Sequence, residues 1–159
     1  MAQTVEAKMT GLDALIAKMD AISVEMRFKG GRFGLRKAAN LIAEAARQGA
    51  AKMDDAETGR SIAKNVAVRF SSRTAKATGD IKFRIGVLHG AQIPKENDDK
   101  GAGGPTPHWR LLEFGTEKMR AQPFMRPAIE NNVQAAVDTF AREAEKSIDR
   151  AIRKAQKGK

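Results

Sequence analysis

Two short runs late in the chain leave the backbone the least freedom: HWRLLEFGT at residues 108–116 and QPFMRPA at residues 122–128. Together they hold the only Trp, two of the seven Phe and two of the five Pro, in a chain that is only 5% aromatic. Gly115 can take a positive φ and turn the chain sharply, Thr116 can hydrogen-bond within that turn, and Phe114 is expected to anchor it in the core. Trp109, Glu113, Phe114, Gly115 and Thr116 are therefore read as a structural corner, with Glu113 available to pair with a nearby base. Pro123 and Pro127 flank Phe124 and Met125, and each proline drives the residue before it to an extended conformation. Such a stiff segment delivers Phe124 into a groove at low entropic cost. Pro123, Phe124, Met125 and Pro127 are thus candidate subunit-interface residues, with packing inside the same chain as the alternative.

Periodicity describes the rest. Leu12, Leu15, Ile16, Met19 and Ile22 recur at three- and four-residue spacing behind Thr10, a potential N-cap, and Asp13 falls in the first turn. This predicts a helix over residues 10–26, interrupted at Gly30-Gly31. A second helix is predicted over 33–53, presenting Leu35, Ala38, Ala39, Ile42, Ala45, Ala46, Gly49 and Met53. That face is mostly small, so another backbone can approach it closely. Ile62, Val66, Val68 and Phe70 share one parity and suggest a strand over 62–70, weaker at its start, while 71–80 reads as a hairpin loop. Ile81, Phe83, Ile85 and Val87 then alternate with Lys82, Arg84 and Gly86, the clearest period-two signal in the chain. The resulting hairpin has one apolar face and one basic face carrying Arg69, Lys82 and Arg84, and is too small to stand alone. From Pro127, an apolar stripe through Ile129, Val133, Phe140, Ala144 and Ile148 predicts a long helix running almost to the end. The fold class expected is α+β: two N-terminal helices, a small antiparallel β-sheet and a long C-terminal helix packed on the sheet, in a single domain over residues 1–159.

Composition narrows the function. A 159-residue chain can bury roughly two thirds of its unfolded surface in one core. The absence of cysteine excludes disulfides, thiolate metal sites and cysteine nucleophiles. No apolar run reaches 18 residues, so neither a membrane span nor a cleaved export signal is expected. His89 and His108 are the only histidines and have no acidic partners at ligand spacing, so no metal is expected. Residues 101–104, Gly-Ala-Gly-Gly, lack the lysine and helix start of a phosphate-binding loop, and no nucleophile motif accompanies Glu113; no cofactor and no catalysis are expected. A net charge of +10 favours polyanions. Residues 142–159 carry seven basic against three acidic side chains, making Arg150, Arg153, Lys154 and Lys157, with Arg69, Lys82 and Arg84, candidate contacts for DNA or a partner. A solvated helix end is the blander account of that charge. Residues 90–107 combine the charged run 95–100 with Gly-rich sequence and read as a mobile loop, and 150–159 as a basic end.

Glu113-Phe114-Gly115-Thr116, the 122–128 run, the strand at 81–87, Thr58-Gly59-Arg60-Ser61-Ile62 and Gly11-Leu12-Asp13-Ala14-Leu15 occur in an order that resembles the tail-component or head-tail joining (tail completion, neck) family of long-tailed double-stranded DNA phages. The resemblance implies a virion structural protein of the neck or tail, made in the bacterial host cytoplasm and acting as a homo-oligomeric ring around the DNA channel, with a hexamer as one stoichiometry. It implies other neck proteins and the tail tube or terminator as partners, non-specific contact with genomic DNA, and no membrane. The alternatives are a basic DNA-binding protein, for which no helix-turn-helix or zinc finger is present, and a phage assembly factor absent from the finished particle.

Overall fold

The computed structural model describes residues 13–20, 22–54, 60–88, 103–104 and 106–157. The Thr10 cap, Gly11, Leu12, Thr58, Gly59, His89, nearly all of the 90–107 loop and the last two residues of the basic end lie outside them. In chain order the elements are α1 (Asp13–Asp20), α2 (Val24–Ala51), α3 (Ile62–Asn65), β1 (Val66–Phe70), α4 (Ser72–Thr78), β2 (Phe83–Val87), α5 (Trp109–Phe114), α6 (Met125–Glu130) and α7 (Val133–Lys157). This is an α+β chain with two leading helices, a two-stranded antiparallel sheet and a long closing helix. No described helix is long and apolar enough to cross a membrane. The chain divides into two compact units: Met1–Ala38, Ser71–Lys82 and Val133–Lys159 form the first, Ala39–Phe70 and Phe83–Asn132 the second.

In the first unit, Leu15 of α1 joins Ala144 and Ile148 of α7 in a small core fringed by Met19, Ile22 and Phe140. The expected interruption at Gly30-Gly31 does not occur. α2 runs straight through both glycines, and the break comes earlier, where Ser23 Oγ accepts the Met26 N–H at 3.3 Å. Packing explains the difference. A Cβ on Gly30 would lie 2.7 Å from Ile148 Cγ1, and one on Gly34 would lie 2.7 Å from the Phe140 carbonyl oxygen and 2.8 Å from Ala144 Cβ. Each glycine costs the helix roughly 0.5–1 kcal/mol against alanine, offset here by an approach to α7 that no other residue permits. The expected hairpin loop at 71–80 is instead α4, ended by Gly79 at φ 78° and closed at its base by the Ser71 N–H donating to the Lys82 carbonyl at 2.9 Å. Ser and Thr start a helix as readily as a loop, and Ala75 and Ala77 then favour the helix.

In the second unit, β1 and β2 pair Val66 with Val87, Val68 with Ile85 and Phe70 with Phe83, the parity expected of the apolar face. That face packs with Ala43, Ala46 and Ala50 of α2, Ile62, Phe124 and Ala128 into the larger core. Residues 62–65, expected to begin the strand, form α3 because its N-terminus is doubly capped. Ser61 Oγ accepts the Lys64 N–H, and Asp54 accepts the N–H groups of Ile62 (2.7 Å) and Ala63 (3.2 Å). The single C-terminal helix expected from Pro127 is two helices, since α6 ends at Glu130 and α7 begins at Val133.

Candidate functional site

The 108–128 segment folds into a closed corner. Trp109–Phe114 makes a short helix, and Gly115 ends it at φ 74°, with its N–H on the Leu111 carbonyl at 2.8 Å. A Cβ there would meet Ala121 N at 2.8 Å and the Met119 carbonyl oxygen at 2.9 Å, so both backbone angle and space demand glycine. Thr116 and Met119 exchange backbone hydrogen bonds, Thr116 Oγ1 accepts the N–H groups of Lys118 and Met119, and the Gln122 N–H donates to the Leu112 carbonyl at 2.7 Å. The chain thereby doubles back alongside α5.

At the centre of this corner lies Glu113, 2% exposed. Its carboxylate accepts the N–H groups of Phe124 (2.8 Å), Met125 (2.9 Å) and Arg126 (3.1 Å), and the Arg126 Nε at 3.3 Å. Arg126 Nη2 returns to the Glu113 carbonyl at 2.8 Å. The first N–H groups of a helix have no partner within it, and α6 has no capping side chain of its own at Phe124. Glu113 supplies the cap from eleven residues upstream. An anionic acceptor at a helix N-terminus is favoured by the aligned peptide dipoles, and the Arg126 guanidinium balances its charge.

Two further polar residues tie the second unit together. Asn65 is fully buried, donating from Nδ2 to the Gly104 carbonyl (2.7 Å) and Thr106 Oγ1 (2.8 Å) while its Oδ1 accepts the Gly103 N–H (3.0 Å). A Cβ on Gly103 would overlap the Ser61 carbonyl oxygen, so glycine is needed where this segment crosses the start of α3. Asp54, besides capping α3, accepts the Ser61 hydroxyl at 2.6 Å. Sequence reading missed Asp54, Asn65 and Thr106. The only trace they leave is an Asp beside another Asp, an Asn after a Lys and a Thr between two prolines, and nothing local says that they meet.

Residues 13–115, well over half of the chain, match the family model described as "Bacteriophage HK97-gp10, putative tail-component". The chain belongs to this family. No curated protein and no solved structure gives a significant match. The matched span of this tail-component protein includes Asp54, Asn65 and Glu113 but stops at Gly115, so α6, the helix Glu113 caps, lies beyond it.

Phe114 lies on the opposite side to that expected, and Phe124 takes the alternative of packing inside its own chain. Phe124, a candidate interface residue, is 3% exposed: it sits in the larger core, edge-on to Trp109 at 6.5 Å between ring centroids, over Gly49 of α2. It is not available to a neighbouring subunit in this conformation. Phe114, expected in the core, is 66% exposed beneath the Arg126 guanidinium, 5.5 Å from its ring centroid. The reversal follows from Glu113, which faces inward to reach α6 and so turns its neighbour outward. Pro123 is exposed, and Met125 and Pro127 are half-buried. Trp109 is half-buried, and its indole N–H has no hydrogen-bond partner among the described residues.

The basic candidates of the tail-component chain lie apart from this corner in sequence. Arg69 and Arg84 are both exposed and directly opposite one another across the ladder, beside the small pair Ala67 and Gly86. Lys82 is exposed just before β2. Arg150, Arg153, Lys154 and Lys157 are exposed at three- and four-residue spacing near the end of α7.

Proposed function

We propose that this tail-component protein is a virion structural subunit of the neck or tail, made in the bacterial host cytoplasm. It acts in tail completion or head-tail joining as a homo-oligomeric ring around the DNA channel. The observation that carries this reading is the family match over residues 13–115. The corner is compatible with it, because the most buried carboxylate in the described residues has both oxygens engaged on backbone N–H groups and Arg126, the contacts of a helix cap. The subunit works through surfaces that other neck proteins and the tail tube or terminator would meet. Cryo-electron microscopy of intact particles tests this. A closed ring at the head-tail junction that fits the chain is the expected result, and particles lacking the chain would overturn it in favour of an assembly factor.

A second reading, contact with DNA, is favoured by the Arg69–Arg84 pair. Like charges directly opposite in a ladder repel and weaken it, a cost relieved when phosphate or another anion lies between them. Duplex DNA binding that weakens steeply with salt, and loses slope in Arg69→Ala, is the expected sign; a flat salt dependence removes this reading.

A further inference from the structure

We infer that one copy of this chain docks head-to-tail on the next, seating the exposed face of α1 on the Leu111–Phe114 face of α5. The inference rests on the ring reading above and names its contact. Five large apolar side chains are exposed among the described residues: Ile16, Val24, Leu111, Phe114 and Ile129. Ile16 on the one hand, and Leu111, Phe114 and Ile129 on the other, lie in different electrostatic settings.

Leu111 and Phe114 are one helical turn apart and so share a face of α5. The Arg126 guanidinium lies over the Phe114 ring, Ile129 follows Arg126 by one turn of α6, and exposed Arg110 adjoins Leu111. Both guanidiniums at this apolar group stay exposed, Arg126 while sharing the Glu113 carboxylate and Arg110 while lying over the Trp109 ring at 5.7 Å, and exposed Glu130 adjoins Ile129 at its far edge. On α1, exposed Ile16 lies one turn from Asp13 on one side and one turn from Asp20 on the other, both also exposed. Asp20 keeps one oxygen on Arg27 at 3.4 Å. Lys18, the one cation of α1, is committed elsewhere, to Asp149 at 2.6 Å and Glu145 at 3.1 Å on α7. Among the described residues the exposed face of α1 is therefore apolar and acidic in a chain whose net charge is +10.

Each group supplies what the other lacks. Carboxylates meet guanidiniums around an apolar centre, the arrangement that steers and registers a protein contact. Either face against its own copy would set like charges together, so a two-fold dimer through it is disfavoured. A contact between two different faces is heterologous, the kind of contact from which a ring of identical copies is built.

Photo-crosslinking tests this in particles assembled from the full chain with Leu111 replaced by benzoylphenylalanine. The expected product is a band at twice the chain's mass, its crosslink mapping to residues 13–24 of the second copy and disappearing in Ile16→Glu. Several copies per particle with the crosslink absent, elsewhere on the chain, or on a different particle protein would overturn this contact and leave the ring standing. A single copy per particle, or none, would overturn the ring itself and this contact with it.

Discussion

At Gly34 the first unit is held by the absence of a side chain, whereas at Glu113 the second is held by the reach of a long one. Where α2 meets α7, the approach is limited by backbone and Ala144, and the contact depends on repeated small residues at helical spacing. In the second unit, short helices and loops of differing period meet, and two helix starts are satisfied from a distance: α6 by Glu113, α3 by Asp54. Regular helices can share an interface by shape alone, because their backbone hydrogen bonds are already made. Irregular segments bring unsatisfied N–H groups with them and need polar side chains to bury them.

The most severe way to break this contrast is Glu113→Ala, which strands three N–H groups and takes the carboxylate away from the Arg126 guanidinium. A loss of about 3–5 kcal/mol is expected in urea unfolding, with hydrogen exchange loosening at 122–128 before α7. Phe124→Ala should cost a similar ~3–5 kcal/mol, as truncation of a core aromatic does. Soluble folded subunit and assembled particle should then fall together; a variant that folds normally and fails only to assemble would return Phe124 to the interface. Gly34→Ala should cost about 1–3 kcal/mol, because its new methyl meets backbone that must move. Gly86→Ala sharpens the point, since a Cβ there meets nothing within 4 Å and thermal melting should show little loss.

The smallest effect lies on the exposed α1–α7 tether. The Asp149 hydrogen bond, and then that of Glu145, hold the Lys18 ammonium above its ordinary value of 10.5. A raised lysine favours the folded state below its unfolded value, and that advantage is lost as pH rises through the folded value. Lys18→Met should therefore lower the melting temperature slightly at pH 7 and narrow the gap from wild type above pH 10.5. A gap that stays constant to pH 12 would remove the tether from the account.

Much of the fold was legible in the residues. The alternation at 66–70 and 83–87 carried the apolar parity of the hairpin, and the stripe through Phe140, Ala144 and Ile148 carried α7. The corner at 108–116 was legible as a turn because Gly115 has few conformational substitutes. What Glu113 does inside that corner was not, since the N–H groups that donate to it lie eleven to thirteen residues ahead, beyond any local pattern. Residues 71–80 misled for a related reason: a string of Ser, Thr and Ala is compatible with loop or helix, and surroundings chose.

The sequence by itself determined what repeats with a short period or follows from residue chemistry alone: the alternation of the strands, the apolar stripe of α7, the absence of thiol chemistry and the basic character. Only the tertiary structure decided that Gly30 and Gly34 pack instead of turning, that Phe124 lies inside and Phe114 outside, and that Glu113 caps α6. Periodicity records a preference each residue has for its own neighbours along the chain. A glycine's use, an aromatic's side and a carboxylate's partner depend on which distant segment arrives, and that is fixed only when the whole set of contacts forms together.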